Sequence, residues 1–255
     1  MELTVLGCHG GETPKHRTSA FLIDRKLAID AGALTSALDI PSQCAIEAVL
    51  ISHAHLDHIR DLSTIADNRV QNGAPPLKVC ATAETLRALR EHFFNDQLWP
   101  DFTKIPTDRG QTIELVELVS GVQNVVGAYR VRPIPVTHTI DCSGFLVDDG
   151  SCAIAYSGDT AATDELWNVL NAVTNLRALL LEVSFPDDQS ELAIRSCHHT
   201  PTSLAFDLRK YKAPKDLPTL LYHMKPTFQA QIERECAKLT GLNLSPLALG
   251  DEFIL

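Results

Sequence analysis

The sequence predicts a layered α/β fold in a single domain over residues 1–255, and three observations carry that expectation. Short β-rich runs recur along the whole chain, with fewer amphipathic helical stretches between them. Both halves are strand-rich, which suits sheets with helices on their outer faces. A hydrophobic content of 45% over 255 residues is enough to bury one large core, and no linker with a sharp composition shift, internal repeat or low-complexity segment divides it.

Apolar runs bounded by polar or turn residues predict strands over 3–6, 19–23, 27–30, 48–52, 77–81, 112–118 and 128–136, then over 143–147, 152–156, 178–183, 219–222 and 247–249. Helical spacing predicts helices over 83–93, 163–173, 200–209 and 227–239, with Thr82, Ala162 or Thr163, and Thr200 near the first three N-termini. Thr200-Pro201 places proline just inside a helix start, where its missing N–H costs nothing. Gly10-Gly11 and Asp30-Ala-Gly32 mark tight turns, and Asp149-Gly150 between two strand-like runs is a hairpin signal.

The formal charge of −10 argues against a surface that tracks nucleic acid, since backbone binding needs clustered Lys and Arg, and no such run occurs. Acidity also serves solubility. Seven cysteines (Cys8, Cys44, Cys80, Cys142, Cys152, Cys197, Cys236) are scattered, odd in number and without C-x-x-C spacing, so neither a disulfide framework nor a zinc ribbon is indicated. A reducing cytoplasm is the expected location. The N-terminal Met-Glu-Leu-Thr lacks a signal-peptide pattern, and no apolar stretch reaches the roughly 18 residues that span a bilayer, so no membrane is expected.

The densest chemistry is His53-Ala-His55-Leu-Asp57-His58, directly after the apolar run 48–52. Imidazole and carboxylate suit a borderline divalent ion such as zinc. In an extended segment side chains alternate, which would send His53, His55 and Asp57 to one side and His58 to the other, so that one loop serves two neighbouring ions. This spacing differs from helical H-E-x-x-H, where the histidines lie one turn apart. His138, Asp159 (within Ser-Gly-Asp-Thr) and His223 each follow a further apolar run. Singly each has an ordinary explanation. Together with the cluster they make seven donors, which would give each of two ions three private ligands if Asp159 bridges, with positions left open as a catalytic site requires.

H-x-H-x-D-H, the separated His, the Asp and the final strand-end His resemble the metallo-β-lactamase superfamily over nearly the whole chain. Within it, His-Leu-Asp-His at 55–58, the run 63–68, Phe94-Asn95 with 99–102 (Trp-Pro-Asp-Phe) and Tyr222-His223-Met-Lys-Pro are similar to class II 3′,5′-cyclic-nucleotide phosphodiesterases. The resemblance implies an αβ/βα sandwich with two divalent metal ions at its upper edge, zinc first, with manganese and iron as alternatives. Position by position, one ion would take His53, His55 and His138, the other Asp57, His58 and His223, with Asp159 between them.

Leu181-Glu182-Val-Ser and His198-His-Thr-Pro resemble a pattern shared with tRNA 3′-processing endonucleases, which makes Glu182 and His198 a candidate acid dyad beside the catalytic Asp57. There are two departures. Asp61 stands where a small residue, often Gly, is common, and the doublet His198-His199 leaves open which imidazole faces the site, with His199 otherwise a surface residue.

The implied chemistry is hydrolysis of cyclic AMP or GMP to the 5′-monophosphate. A hydroxide shared by metals roughly 3.5–4 Å apart would attack phosphorus, Asp57 would orient it, and His198 would act as general acid. Phe94, Trp99 and Phe102 are candidates for holding the base or for core and lid roles. The expected partner is a small anionic nucleotide, with homodimer formation suggested by the superfamily. A tRNA-trimming endonuclease would need a basic gripping insertion that is not visible here. A glyoxalase-type thioesterase or lactonase would use the same metals on a carbonyl. A metal-bearing scaffold without activity would typically have lost ligands.

Overall fold

Strands that are apolar on both faces must be covered twice, and this chain meets that demand by stacking two sheets between helices. The computed structural model describes residues 1–212 and 217–255. The first sheet holds β1 (Glu2–Gly7), β2 (Ala20–Ile23), β3 (Leu27–Ile29), β4 (Ala48–Leu50) and β5 (Leu77–Ala81); after a small hairpin of β6 (Pro106–Thr107) and β7 (Gly110–Gln111) comes β8 (Ile113–Glu117). The second holds β9 (Asn124–Val126), β10 (Tyr129–Pro135), β11 (Ser143–Asp148), β12 (Ala153–Tyr156), β13 (Leu176–Glu182), β14 (Thr219–Tyr222) and β15 (Leu244–Pro246), and β16 (Glu252–Ile254) returns to the first sheet beside β1. Among the described residues both sheets are seven-stranded, in the orders β16-β1-β2-β3-β4-β5-β8 and β15-β14-β13-β12-β11-β10-β9.

Each sheet is antiparallel on one side and parallel on the other. β3, β4, β5 and β8 run parallel in the first, and β12 to β15 in the second. Burial follows the two-residue period of a strand: on β13, Ala178 and Leu180 face the layer between the sheets, while Leu179 and Leu181 face the outer helices. The inner layer is filled from both sides, by Phe21, Ile29 and Leu50 against Phe145, Ile154 and Leu220. Outside the first sheet, Val49 and Ile51 pack on Leu62, Ile65 and Ala66 of the helix Leu62–Gln71. Outside the second, Leu166, Trp167 and Leu204 cover Leu179 and Leu181. The result is the expected αβ/βα sandwich.

Several expectations need correction. The strand placed over 247–249 lies instead at Leu244–Pro246, which pairs along β14 as the outermost strand; Pro246 is tolerated there because an edge strand need not donate outward. The helix Leu62–Gln71 went unread although Leu62, Ile65, Ala66 and Arg69 bury one face at helical spacing. The helix over 83–93 divides into an α segment, Ala83–Ala88, and a π turn, Leu89–Phe93. The short helices Leu34–Ala37, Ile40–Ala45 and Ser190–Ser196 also went unread. Thr200 does cap Pro201–Leu208, accepting from Ser203 N in a reciprocal capping box. No helix among the described residues is long and apolar enough to cross a membrane.

Candidate metal centre

Parallel strands end together, so the residues that follow them meet at one edge, and ligands in open α/β sheets collect at such carboxyl ends. Asp30 follows β3, His53 to His58 follow β4, His138 follows β10, Asp159 follows β12, Glu182 closes β13 and His223 follows β14. All seven predicted ligands lie in this one cluster.

The chain stays extended only as far as His55 (φ −68°, ψ 145°); Leu56–Ile59 then forms one helical turn, with His58 N donating to His55 O at 3.0 Å. The expected alternation therefore fails after His55. Buried Ile59 and a hydrogen bond from Ala31 N to His58 O, 2.7 Å, dock the turn on the first sheet. Asp57 consequently joins His58 rather than His53 and His55.

His53, His55 and His138 form one group: His55 Nδ1 is 3.0 Å from His53 Nε2 and 3.2 Å from His138 Nε2. Asp57, His58 and His223 form the other, with Asp57 Oδ2 3.9 Å from His58 Nε2 and 3.4 Å from His223 Nε2. Asp159 Oδ2 reaches both, at 3.8 Å from His53 Nε2, 3.3 Å from His58 Nε2 and 3.2 Å from His223 Nε2.

In four of the five histidines the outer ring nitrogen is already engaged, which leaves the inner one as a lone pair in the neutral ring. His58 Nδ1 meets Asp30 Oδ2 at 2.7 Å, His53 Nδ1 meets Ser52 Oγ at 3.0 Å, His138 Nδ1 meets Cys197 O at 3.3 Å and His223 Nδ1 meets Ser184 Oγ at 2.9 Å. With their outer nitrogens engaged as N–H donors, the inner nitrogens of His58 and His223, 3.4 Å apart, cannot satisfy each other as acceptors. Asp159 Oδ1 is buried with no hydrogen-bond partner among the described residues. Such a donor set, with an orphaned carboxylate oxygen at its centre, fits divalent cations.

The carboxylates make the centre favour positive charge. Burial, reinforced by His58, pushes the proton affinity of His53 well down. Burial also opposes charge on His58, but Asp159 and Asp30 on either side outweigh it and raise its affinity. Burial works against ionised Asp57 and Asp159, yet neighbouring His223 and His58 hold both carboxyls well below their usual range.

Backbone strain and close approach support the ligands. Asp30 (φ 58°) and His223 (φ 69°) occupy the left-handed region that non-glycine residues enter rarely. A side chain at Gly10 would place its Cβ 2.4 Å from His223 O, so the first loop must be bare there. Gly158, at φ 64°, turns the chain just before Asp159.

The sequence marks Asp30 as a strand end and the start of a tight turn, and the structure gives it a further part. It binds four groups: Oδ1 accepts from Ser52 N (2.8 Å), and Oδ2 from Ser52 Oγ (2.8 Å), Tyr156 Oη (2.6 Å) and the His58 ring. Its place after the apolar run 27–29, the same context as the ligands, was the available signal. Asp61 accepts from Thr35 N and Oγ1 (2.7 and 2.8 Å) and from Arg60, so the carboxylate that departs from the family pattern is satisfied locally.

His198 faces the site. Its ring stacks on His223, with centroids 5.3 Å apart, and lies 5.1 Å from His138, while Nδ1 meets Glu182 Oε1 at 3.0 Å. Burial disfavours its charge, but Glu182 prevails and raises its proton affinity; the same pairing lowers Glu182 against burial. His199 turns the other way, with Nδ1 3.0 Å from Ser203 Oγ. At 1% exposure it is a core residue, not the surface residue expected. Phe94 and Phe102 are buried in the first sheet's outer cluster and cannot clamp a base; Trp99 is exposed.

The sandwich and its edge site define a metallo-hydrolase class, and the chain belongs to the β-lactamase superfamily: the family model described as "Beta-lactamase superfamily domain" matches residues 28–224, a span that contains every candidate ligand. Among curated proteins it is similar to a probable 3′,5′-cyclic-nucleotide phosphodiesterase of Yersinia pestis, 27% identical over 89% of this chain and 79% of that protein. Among solved structures it resembles unliganded yeast PDE1 (TM-score 0.82, 20% identity, covering 100% of this chain and 99% of that one) and the short form of human tRNase Z, ELAC1 (TM-score 0.72, 16% identity, 100% and 99%).

Proposed function

We propose that this chain is a 3′,5′-cyclic-nucleotide phosphodiesterase that forms nucleoside 5′-monophosphates, with His53, His55 and His138 holding one divalent ion, Asp57, His58 and His223 the other, and Asp159 between them. The observation that carries the reading is the Glu182–His198 pair beside both ligand groups. A ribose alkoxide leaves poorly without a proton, and an imidazole held by a carboxylate is suited to give one. The likeness to the Yersinia protein supports the substrate class. The all-nitrogen-and-oxygen donor set favours zinc, and manganese or iron would also fit.

Divalent ions in these positions would act as Lewis acids toward the phosphoryl oxygens and lower the pKa of a water to about 7. Asp57, whose side chain is 31% exposed and whose carboxyl is held well below its usual range, orients the attacking water. The oxygen–phosphorus bond forms opposite the ribose O3′, the P–O3′ bond breaks, and His198 delivers a proton from Nε2 to O3′. Seven free thiols among the described residues support the cytoplasmic location.

The product should be the 5′-monophosphate alone, as chromatography of a cyclic AMP or cyclic GMP digest would show. A 3′-monophosphate, or turnover confined to thioesters, lactones or tRNA precursors in a parallel panel, overturns the reading. The pH profile gives a second check. The acid works protonated, so activity falls as pH rises through the His198 pKa, which Glu182 raises. Glu182→Gln removes that support and should move the alkaline limb of kcat to lower pH. An unmoved limb would mean that another group sets it.

A further inference from the structure

We propose that Ser184 is a positioning residue that ties the metal ligand His223 and the acid His198 to one carboxylate, so that the two are set together. The proposal rests on the reading of His198 given above for its second half only. Ser184 is fully buried, two residues beyond Glu182. Its hydroxyl donates to Glu182 Oε2 at 2.9 Å. A hydroxyl has one proton and two lone pairs, so with that proton committed its oxygen can only accept from the two imidazoles that face it, His223 Nδ1 at 2.9 Å and His198 Nδ1 at 3.1 Å.

The consequence for His223 is a forced tautomer. Nδ1 must carry the hydrogen, and Nε2, the atom 3.2 Å from Asp159 Oδ2 and 3.4 Å from Asp57 Oδ2, is left as the lone pair a cation needs. For His198 the hydroxyl shares Nδ1–H with Glu182 Oε1, at 3.0 Å. That oxygen is also held by Thr160 N at 3.1 Å and His199 N at 3.2 Å, so the carboxylate itself cannot swing. The two rings are nearly parallel, 17° apart, as expected for rings docked on one small oxygen. A carboxylate acting on a metal-bound histidine is a familiar arrangement; here a serine hydroxyl is interposed, and the same carboxylate also serves the acid.

The test is a stepwise titration of metal-free protein with Co2+, read by its visible absorption, on wild type, Ser184→Ala and Ser184→Thr. Ser184→Ala should weaken one of two binding steps by about 10–100-fold, the usual cost of losing an outer partner of a ligand, and leave the other step, served by His53, His55 and His138, unchanged. Ser184→Thr keeps the hydroxyl and should restore the weak step. Equal weakening of both steps, no weakening, or failure of threonine to restore it would overturn the proposal, and if the alanine variant does not fold, Ser184→Cys, a weaker partner of similar size, should fall between wild type and a complete loss.

With substrate, Ser184→Ala should lose more turnover on an alkoxide ester than on a nitrophenyl ester, and adding it to His198→Ala should cost less than the product of the separate losses. Strict multiplicativity removes the link to the acid. The metal titration uses no substrate, so a protein that shows the selective weakening yet ignores cyclic nucleotides would sink the functional reading and leave the ligand half of the proposal standing.

Discussion

Asp159→Ala is expected to strip both ions and abolish turnover together. The Asp159 carboxylate reaches inner nitrogens on both sides, at 3.2–3.8 Å from His223, His58 and His53, and its other oxygen is buried without a partner among the described residues. Alanine opens both coordination sets at once and leaves the His53, His55 and His138 group with no carboxylate to offset a cation. The loss in metal affinity should exceed the about 10–100-fold typical of changes outside the ligand shell. Elemental analysis of dialysed protein should give two ions per chain for wild type and close to none for the variant. A folded, active wild type holding a single ion, or a variant that keeps its metals, removes the binuclear assignment.

His198→Ala should leave both ions bound and lower turnover of a cyclic nucleotide by about 10²–10⁴-fold, the range a positioned acid supplies. The deficit should shrink on a nitrophenyl ester, whose leaving group departs without a proton. The neighbouring doublet member behaves differently. His199 contacts Ser203 and lies 3.8 Å from buried Asp207, so His199→Ala should lower the melting temperature through lost packing and polar contacts while leaving the ratio of activities on the two esters unchanged. Equal deficits on both esters for His198→Ala, or a changed ratio for His199→Ala, would reassign the acid.

The ligands were legible because each stands directly after an apolar run, and strand ends in such a fold converge. Asp30 stands in the same context and was passed over because an aspartate before Ala-Gly has a sufficient local explanation as a turn. Strand alternation alone would have put Asp57 with His53 and His55, where the family resemblance put it with His58 and His223, and alternation fails for a physical reason: whether four residues extend or coil is decided by what the His58 carbonyl docks against, the Ala31 N–H in the turn after β3, far away in sequence. The orientation of His198 and His199 was likewise illegible, since adjacent side chains differ only through Glu182 on one side and the helix Pro201–Leu208 on the other. The helix Leu62–Gln71 is a different kind of miss. Its apolar spacing was present but sparse, with Arg69 buried among carbonyls where a fourth aliphatic residue would have made the stripe plain.

The loop after β1 is stitched to the last ligand: Cys8 O accepts from His223 N at 2.7 Å, Gly10 N donates to Met224 O at 3.1 Å, and Lys225 Nζ donates to Gly10 O at 2.7 Å. The four donors of the His53–His58 segment belong to one sheet, and His138, Asp159 and His223 to the other. Ions held between them would act as rivets across a seam, each drawing donors from both sheet edges. Changes at the Cys8–Gly10 stitch, remote from the reacting atoms, would then reach the site through the backbone of His223.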